Sequence, residues 1–200
     1  MAKRAVAILM LSFLPLSACS ASTTSTATST TIDHQTHPAV GETAALAKAL
    51  VPVPGYRYED PPKAEVAAEV ATLREGEKKS GQKIFEGMSF PSVVADNPAL
   101  NTARTGSGTK ELGFLQMFSF VETPPAGVER ELAVNSIGQG KQPIDEFEAS
   151  GVKVFVFVDP TSTNSKYHYA WLRNGIFGTI DGVTRANLRE WVQKYLAIPV

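Results

Sequence analysis

The chain has 200 residues, 43% hydrophobic and 20% charged, with 19 Lys and Arg against 20 Asp and Glu and a formal net charge of −1. That length suits one domain with its own core better than two, and the near-neutral balance lacks the basic face that nucleic acid requires. The chain has 1 cysteine, Cys19, which excludes an internal disulfide framework.

Met1-Ala2-Lys3-Arg4 sets two cations ahead of an unbroken apolar run over residues 5–11, and Ser12-Phe13-Leu14-Pro15 leads on to Leu16-Ser17-Ala18-Cys19. A basic start, a short apolar run and small residues at a cleavage point are the parts of a secretory signal peptide. The run is well short of the ~20 residues that a membrane-crossing helix needs. Leu16-Ser17-Ala18-Cys19 resembles the lipobox of bacterial lipoproteins, a Leu and two small residues before a Cys. The resemblance covers residues 1–19 and implies cleavage before Cys19, lipidation of its thiol and acylation of the new amino terminus. Its consequence is a domain held at the extracytoplasmic side of the cell membrane. An ordinary signal peptide cut near Ala18 is the alternative, and it would leave Cys19 as a lone secreted thiol. One acyl chain anchors only marginally and two or more do so stably; the modification implied by the lipobox supplies at least two. Without Lys3 and Arg4 the 19 basic side chains fall to 17 against 20 acidic ones, a net charge of −3.

Residues 20–31 are Ser, Thr and two alanines, and 32–40 stay polar and turn-rich. Such a composition cannot bury enough apolar surface to offset chain entropy, so residues 19–40 are expected to form a disordered tether from the lipidated cysteine. A flexible coil of that length spans roughly 25 Å on average. His34 and His37 share an H-x-x-H spacing within it, but two ligands in a disordered stretch make a poor metal site, and no metal is expected.

Residues 41–200 are expected to form a single α+β domain. Thr43 can cap a short helix burying Leu46, Ala49 and Leu50. Val51-Pro52-Val53-Pro54-Gly55-Tyr56-Arg57-Tyr58 reads as a stiff connector, its tyrosines packing on a turn or lining a pocket. Asp60 before Pro61-Pro62 signals a second helix start, running to about Glu75 with Val66, Val70 and Leu73 on one face. Extended stretches follow over 83–94 and 112–121, the latter placing Phe114, Phe118 and Phe120 together, and 129–134 predicts a short helix. Val152-Lys153-Val154-Phe155-Val156-Phe157-Val158 is apolar on both faces and therefore reads as a central strand. Residues 166–173 and 176–180 flank Asn174-Gly175, a strong hairpin signal because both residues tolerate positive φ. The chain closes with a helix over 184–197, with Leu188, Trp191, Val192, Tyr195 and Leu196 on one stripe. Arg185, Arg189, Glu190 and Lys194 take its wet side. The expected architecture is a mainly antiparallel sheet with a C-terminal helix packed on a β-meander, preceded by two short helices.

Enzyme signatures are incomplete. Gly87-Met88-Ser89-Phe90-Pro91 starts like a nucleophile elbow but ends in Pro, where a tight strand-to-helix turn needs a small residue. Gly106-Ser107-Gly108-Thr109-Lys110 and Gly138-Gln139-Gly140-Lys141 lack phosphate-loop spacing. Asp145, Glu146 and Glu148 read as a solvated acidic face rather than a calcium site. His168 lies in a strand between Tyr167 and Tyr169, where a histidine is more often structural than catalytic. Tyr167, Tyr169 and Trp171 alternate and so share a side of the sheet. They form either a stacking platform for a ligand such as a sugar or a core face under the last helix.

The layout of Ser/Thr tether and α+β domain also resembles that of small actinobacterial lipoproteins. The sequence therefore points to a membrane-anchored binding domain without a cofactor, for a small-molecule ligand or an envelope protein and not for nucleic acid. A cell-envelope hydrolase is the competing expectation. It would need a Ser or a carboxylate pair converging near His168.

Overall fold

The computed structural model describes residues 43–104 and 108–199. The expected signal peptide, lipobox and tether, with His34 and His37, fall outside the described residues, as do Gly106 and Ser107 of one glycine-rich loop.

In chain order the elements are α1 (Ala44–Ala49), β1 (Tyr56–Glu59), α2 (Lys63–Ser80), β2 (Phe85–Ser89), β3 (Ser92–Ala95), β4 (Ala103–Arg104), β5 (Lys110–Glu111) and β6 (Gly113–Phe120). They continue with α3 (Glu129–Ser136), β7 (Asp145–Ala149), β8 (Val152–Val158), β9 (Tyr167–Arg173), β10 (Ile176–Gly182) and α4 (Arg185–Ala197). One sheet runs in the order β1-β3-β6-β10-β9-β8-β7, with β2 also paired to β6 and β4-β5 forming a separate ribbon. Every pairing is antiparallel. The fold is α+β, and α4 packs on the strands, as the sequence predicts.

Sequence chemistry explains the boundaries. Thr43 accepts from the Leu46 amide at 3.3 Å and so caps α1. The extended stretch after α2 is broken in two because Pro91 has no amide to give to a ladder. Its carbonyl still accepts from Leu115. β2 and β3 therefore run in tandem along one edge of β6, at Met117–Phe120 and Gly113–Phe114 respectively. Asn174 and Gly175 have φ of 50° and 74°, the turn that their sequence predicts.

Alternation along the strands divides the core. Val154 and Val156 of β8 face α1 and α4, together with Leu115, Trp171, Leu188 and Trp191. Phe155 and Phe157 face the other way, with Leu73 of α2 and Leu132 of α3. Helices thus cover both faces of the sheet, where the meander-plus-helix expectation had provided for one.

Three local readings differ. The segment around Tyr56 and Tyr58 is an edge strand paired with β3, not merely a connector. Its two rings turn inward, and Tyr58 donates to the Val51 carbonyl at 2.8 Å. α2 starts after Pro62 rather than at an Asp60 cap and continues past Glu75 to Gly81, whose φ of 68° ends it. The acidic run around Asp145 is the opposite edge strand, joined to β8 through Ser150 and Gly151 with φ of 50° and 78°. Asp145 takes Arg185 and Arg189 of α4 at 2.7 and 2.9 Å, and Glu146 takes Arg130 at 2.9 Å. Those carboxylates brace helices against the sheet.

Candidate functional site: a cleft at the end of the β9–β10 hairpin

Trp171 stands in the middle of the α4-facing side of the sheet. Its cross-strand neighbour is Gly178, where an added Cβ would lie 2.5 Å from the indole ring. Glycine there lets the ring lie against the backbone of β10. From above, Trp191 and Tyr195 of α4 close on it, at centroid distances of 6.3 and 5.6 Å, and stack on each other at 5.1 Å. The Tyr195 hydroxyl donates to the Ala49 carbonyl at 2.9 Å, which ties α4 to α1 on the same face of the sheet. Burial pushes that hydroxyl above the ordinary tyrosine range, against the opposing pull of Arg173.

This packing leaves a cleft of about 320 Å³ between α1, the hairpin end and the C-terminal part of α4. Trp171, Ile176, Tyr195 and Ala49 form its apolar walls, the exposed Ala44, Ala45 and Lys48 line its α1 side, and Arg173 and Asn174 line its hairpin side. The Arg173 Nη2 donates to the Ile198 carbonyl at the end of α4 at 2.7 Å. Its Nη1 is buried with no hydrogen-bond acceptor. A concave apolar site with a few polar groups is what a small molecule requires, and the volume is at the lower end of the usual ~300–1,000 Å³.

Of the three residues in the aromatic stripe, Trp171 borders this cleft, although its ring is itself almost wholly buried. Tyr169 is fully buried as well, donating to the Arg185 carbonyl at 2.8 Å and meeting Phe147 edge-on. Tyr167 is partly buried at the edge of the same cluster. The stripe therefore runs beneath α4, and Trp171 is the member that a ligand in the cleft would meet. Lys48, Arg173, Ile176 and Tyr195 are not legible as ligand contacts from sequence, where Tyr195 reads only as part of the buried stripe of the last helix, because only folding brings α1 over the hairpin. The usable signals were two: Asn174-Gly175 fixes the hairpin end, and Ala44-Ala45 offers a helix face too small to fill the space above it.

A second constellation lies on the opposite side of the sheet. His168 pairs across the ladder with Asp181. Burial pushes the Asp181 carboxyl up, outweighing the pull of His168 and a hydrogen bond with Ser165. Burial and the charge of Asp181 likewise raise Glu69 of α2. This cluster is not a Ser-His-Asp relay, because the Ser165 side chain serves Asp181, whereas a relay needs the nucleophile bonded to the histidine.

The other sequence motifs have structural explanations. Ser89 of the Gly87-Met88-Ser89-Phe90-Pro91 run is buried in a strand, not raised on a turn. The Gly138 and Gly140 amides donate to the Ala133 and Val134 carbonyls and close the end of α3, so they are not turned to a phosphate. Among the described residues no cluster of three or more His, Cys, Asp or Glu could hold a metal, and no helix is long and apolar enough to cross a membrane. Comparison with protein-family models, curated proteins and solved structures gives no match to this chain.

Proposed function

We propose that the chain is a lipoprotein, anchored through Cys19 on the extracytoplasmic side of a membrane, whose domain binds a small ligand in the α1–hairpin cleft without transforming it. The cleft carries the binding half of this reading: its walls include a Trp, a Tyr and an Ile, with Arg173 and Asn174 at its hairpin end and Lys48 on its α1 side. The Leu16-Ser17-Ala18-Cys19 run supports the anchor. Substituting Cys19→Ala should abolish incorporation of labelled palmitate and release the protein from the membrane fraction; unchanged detergent partitioning would refute the anchor. A ligand bound by the folded state alone raises the melting temperature. Small aryl compounds should therefore stabilise the parent but not Ala45→Trp, whose new ring fills the cleft from an exposed position. Equal stabilisation of both would place the ligand elsewhere.

The Glu69, Asp181, His168 and Ser165 cluster favours a second reading, a cell-envelope hydrolase with a carboxylate pair near His168. Loss of an ester- or glycoside-cleaving activity in Asp181→Asn, at unchanged fold, would make that reading the better one.

A further inference from the structure

We infer that the ligand of the α1–hairpin cleft is an anionic amphiphile, an apolar body ending in a carboxylate, held by Arg173 with Lys48 as a second cation. This rests on the reading of the cleft as a ligand site and adds the chemistry of the ligand.

Charge decides the class. The residues lining the cleft include two cations, Arg173 and Lys48, and no carboxylate. The nearby end of α4 opposes an anion, but a helix C-terminus carries only about half a negative charge, and its Ile198 carbonyl is already engaged by Arg173. Two full positive charges outweigh it. Among the described residues lining the cleft, a cationic ligand would meet two like charges and no acid.

Geometry selects the anchor. A guanidinium offers five donors in a flat fork suited to a carboxylate. Arg173 spends Nη2 on the backbone of α4 and leaves Nη1 buried without an acceptor. Buried charged donors are almost always satisfied, and one that is not calls for an acceptor. A carboxylate at the hairpin end of the cleft can supply one while its apolar body lies along Trp171, Ile176 and Tyr195. Lys48 is exposed on α1 among the residues lining the cleft and is the second cation that an anion there would meet.

The test keeps one body and changes the head group. 4-Phenylbutyrate, 4-phenylbutanol and 4-phenylbutylamine are titrated into the full chain, and tryptophan emission is followed. The chain has 2 tryptophans, Trp171 and Trp191, which pack against each other beside the cleft, so the signal is local. The acid should bind at least about tenfold more tightly than the alcohol, the scale of one charge-assisted hydrogen bond, and the amine should not bind measurably. Arg173→Gln should bring the acid to within about threefold of the alcohol. Because Arg173 also holds the end of α4, Lys48→Glu supplies an independent variant at an exposed position and should weaken the acid several-fold while sparing the alcohol. Ala45→Trp should abolish binding of acid and alcohol alike. If acid and alcohol bind equally to the parent, or the acid is indifferent to both charge variants while Ala45→Trp still blocks it, the anionic class is wrong and the cleft remains a ligand site. If none of the three binds, or Ala45→Trp blocks nothing, the cleft reading itself falls.

Discussion

Glu77 shows how one carboxylate can fix a chain crossing. It is nearly buried near the end of α2 and accepts from the Ile84 and Phe85 amides at 2.7 Å each and from Arg74 at 2.5 Å. The chain entering β2 is thus held by a side chain where no ladder partner exists for those amides. Burial alone would push the carboxyl up; the Phe85 amide, Arg74 and the Ile84 amide outweigh it and hold Glu77 below the usual carboxylate range. Replacing Glu77 with Ala leaves two amides without their acceptor, each costing about 1–3 kcal/mol. A loss of roughly 2–4 kcal/mol is expected in urea melts. A loss under half a kcal/mol would mean that water takes the place of the carboxylate. Trp191 makes the opposite point. Its ring is fully buried while its Nε1 has no partner, so its contribution is shape and area, and Trp191→Ala should cost about 3–5 kcal/mol. A variant that melts like the parent would show the ring to be exposed.

At the scale of elements, α4 was the most legible part of the chain. All five stripe residues are buried, because a 3.6-residue period leaves one helical face no other place to go. Its wet side was read too simply. Arg189 lies 4.1 Å from the Phe147 ring and bonds Asp145 at 2.9 Å. An exposed cation–π contact is worth about 0.5–1 kcal/mol and a surface ion pair up to about 1. Arg189→Ala should therefore cost about 1 kcal/mol, where a solvated arginine would cost half that or less; a null result in a chemical melt would show that α4 does not brace β7. The strand β7 was missed because Asp-Glu-Phe-Glu-Ala carries one large apolar residue, and only its hairpin partner gives the alternation meaning. β1 was missed because Pro52, Pro54 and Gly55 just before it read as a turn and masked the tyrosines that pair with β3. The hairpin, the central apolar strand and the phenylalanine face of β6 were legible because each is a local pattern. The cleft was not, since its walls come from residues more than a hundred positions apart, Ala45 and Tyr195 among them. No local pattern carries that juxtaposition.

For the whole molecule, the two classes of shifted carboxylate set opposing pH slopes. Glu77 and Asp145 are held low. At Asp145 burial opposes the shift and the hydrogen bonds and charges of Arg185 and Arg189 overcome it. A group with a depressed folded pKa contributes stability that is present above its unfolded value and lost as the pH falls. Their contribution should therefore fade below about pH 4, the unfolded carboxylate range. Glu69 and Asp181 are raised, Asp181 by burial against the pull of His168 and Ser165, and Glu69 by burial and the charge of Asp181. For such groups stability is fully present below the unfolded pKa and is lost as the pH rises through the folded one. Stability should accordingly fall as the pH rises above the unfolded carboxylate range, because both carboxyls then ionise against the burial that raises them. Asp181→Asn removes the charge while keeping the shape, and it also lifts the repulsion from Glu69. It should flatten the neutral side of the profile and raise stability at pH 7 relative to the parent, leaving the acid side unchanged. Glu77→Gln should do the reverse, reducing stability at pH 7 and flattening the acid side. Melting temperatures of the three proteins between pH 3 and 8 decide the matter. A parent profile that climbs steadily to pH 7, or an Asp181→Asn profile parallel to it, would show that burial does not raise the Asp181 carboxyl.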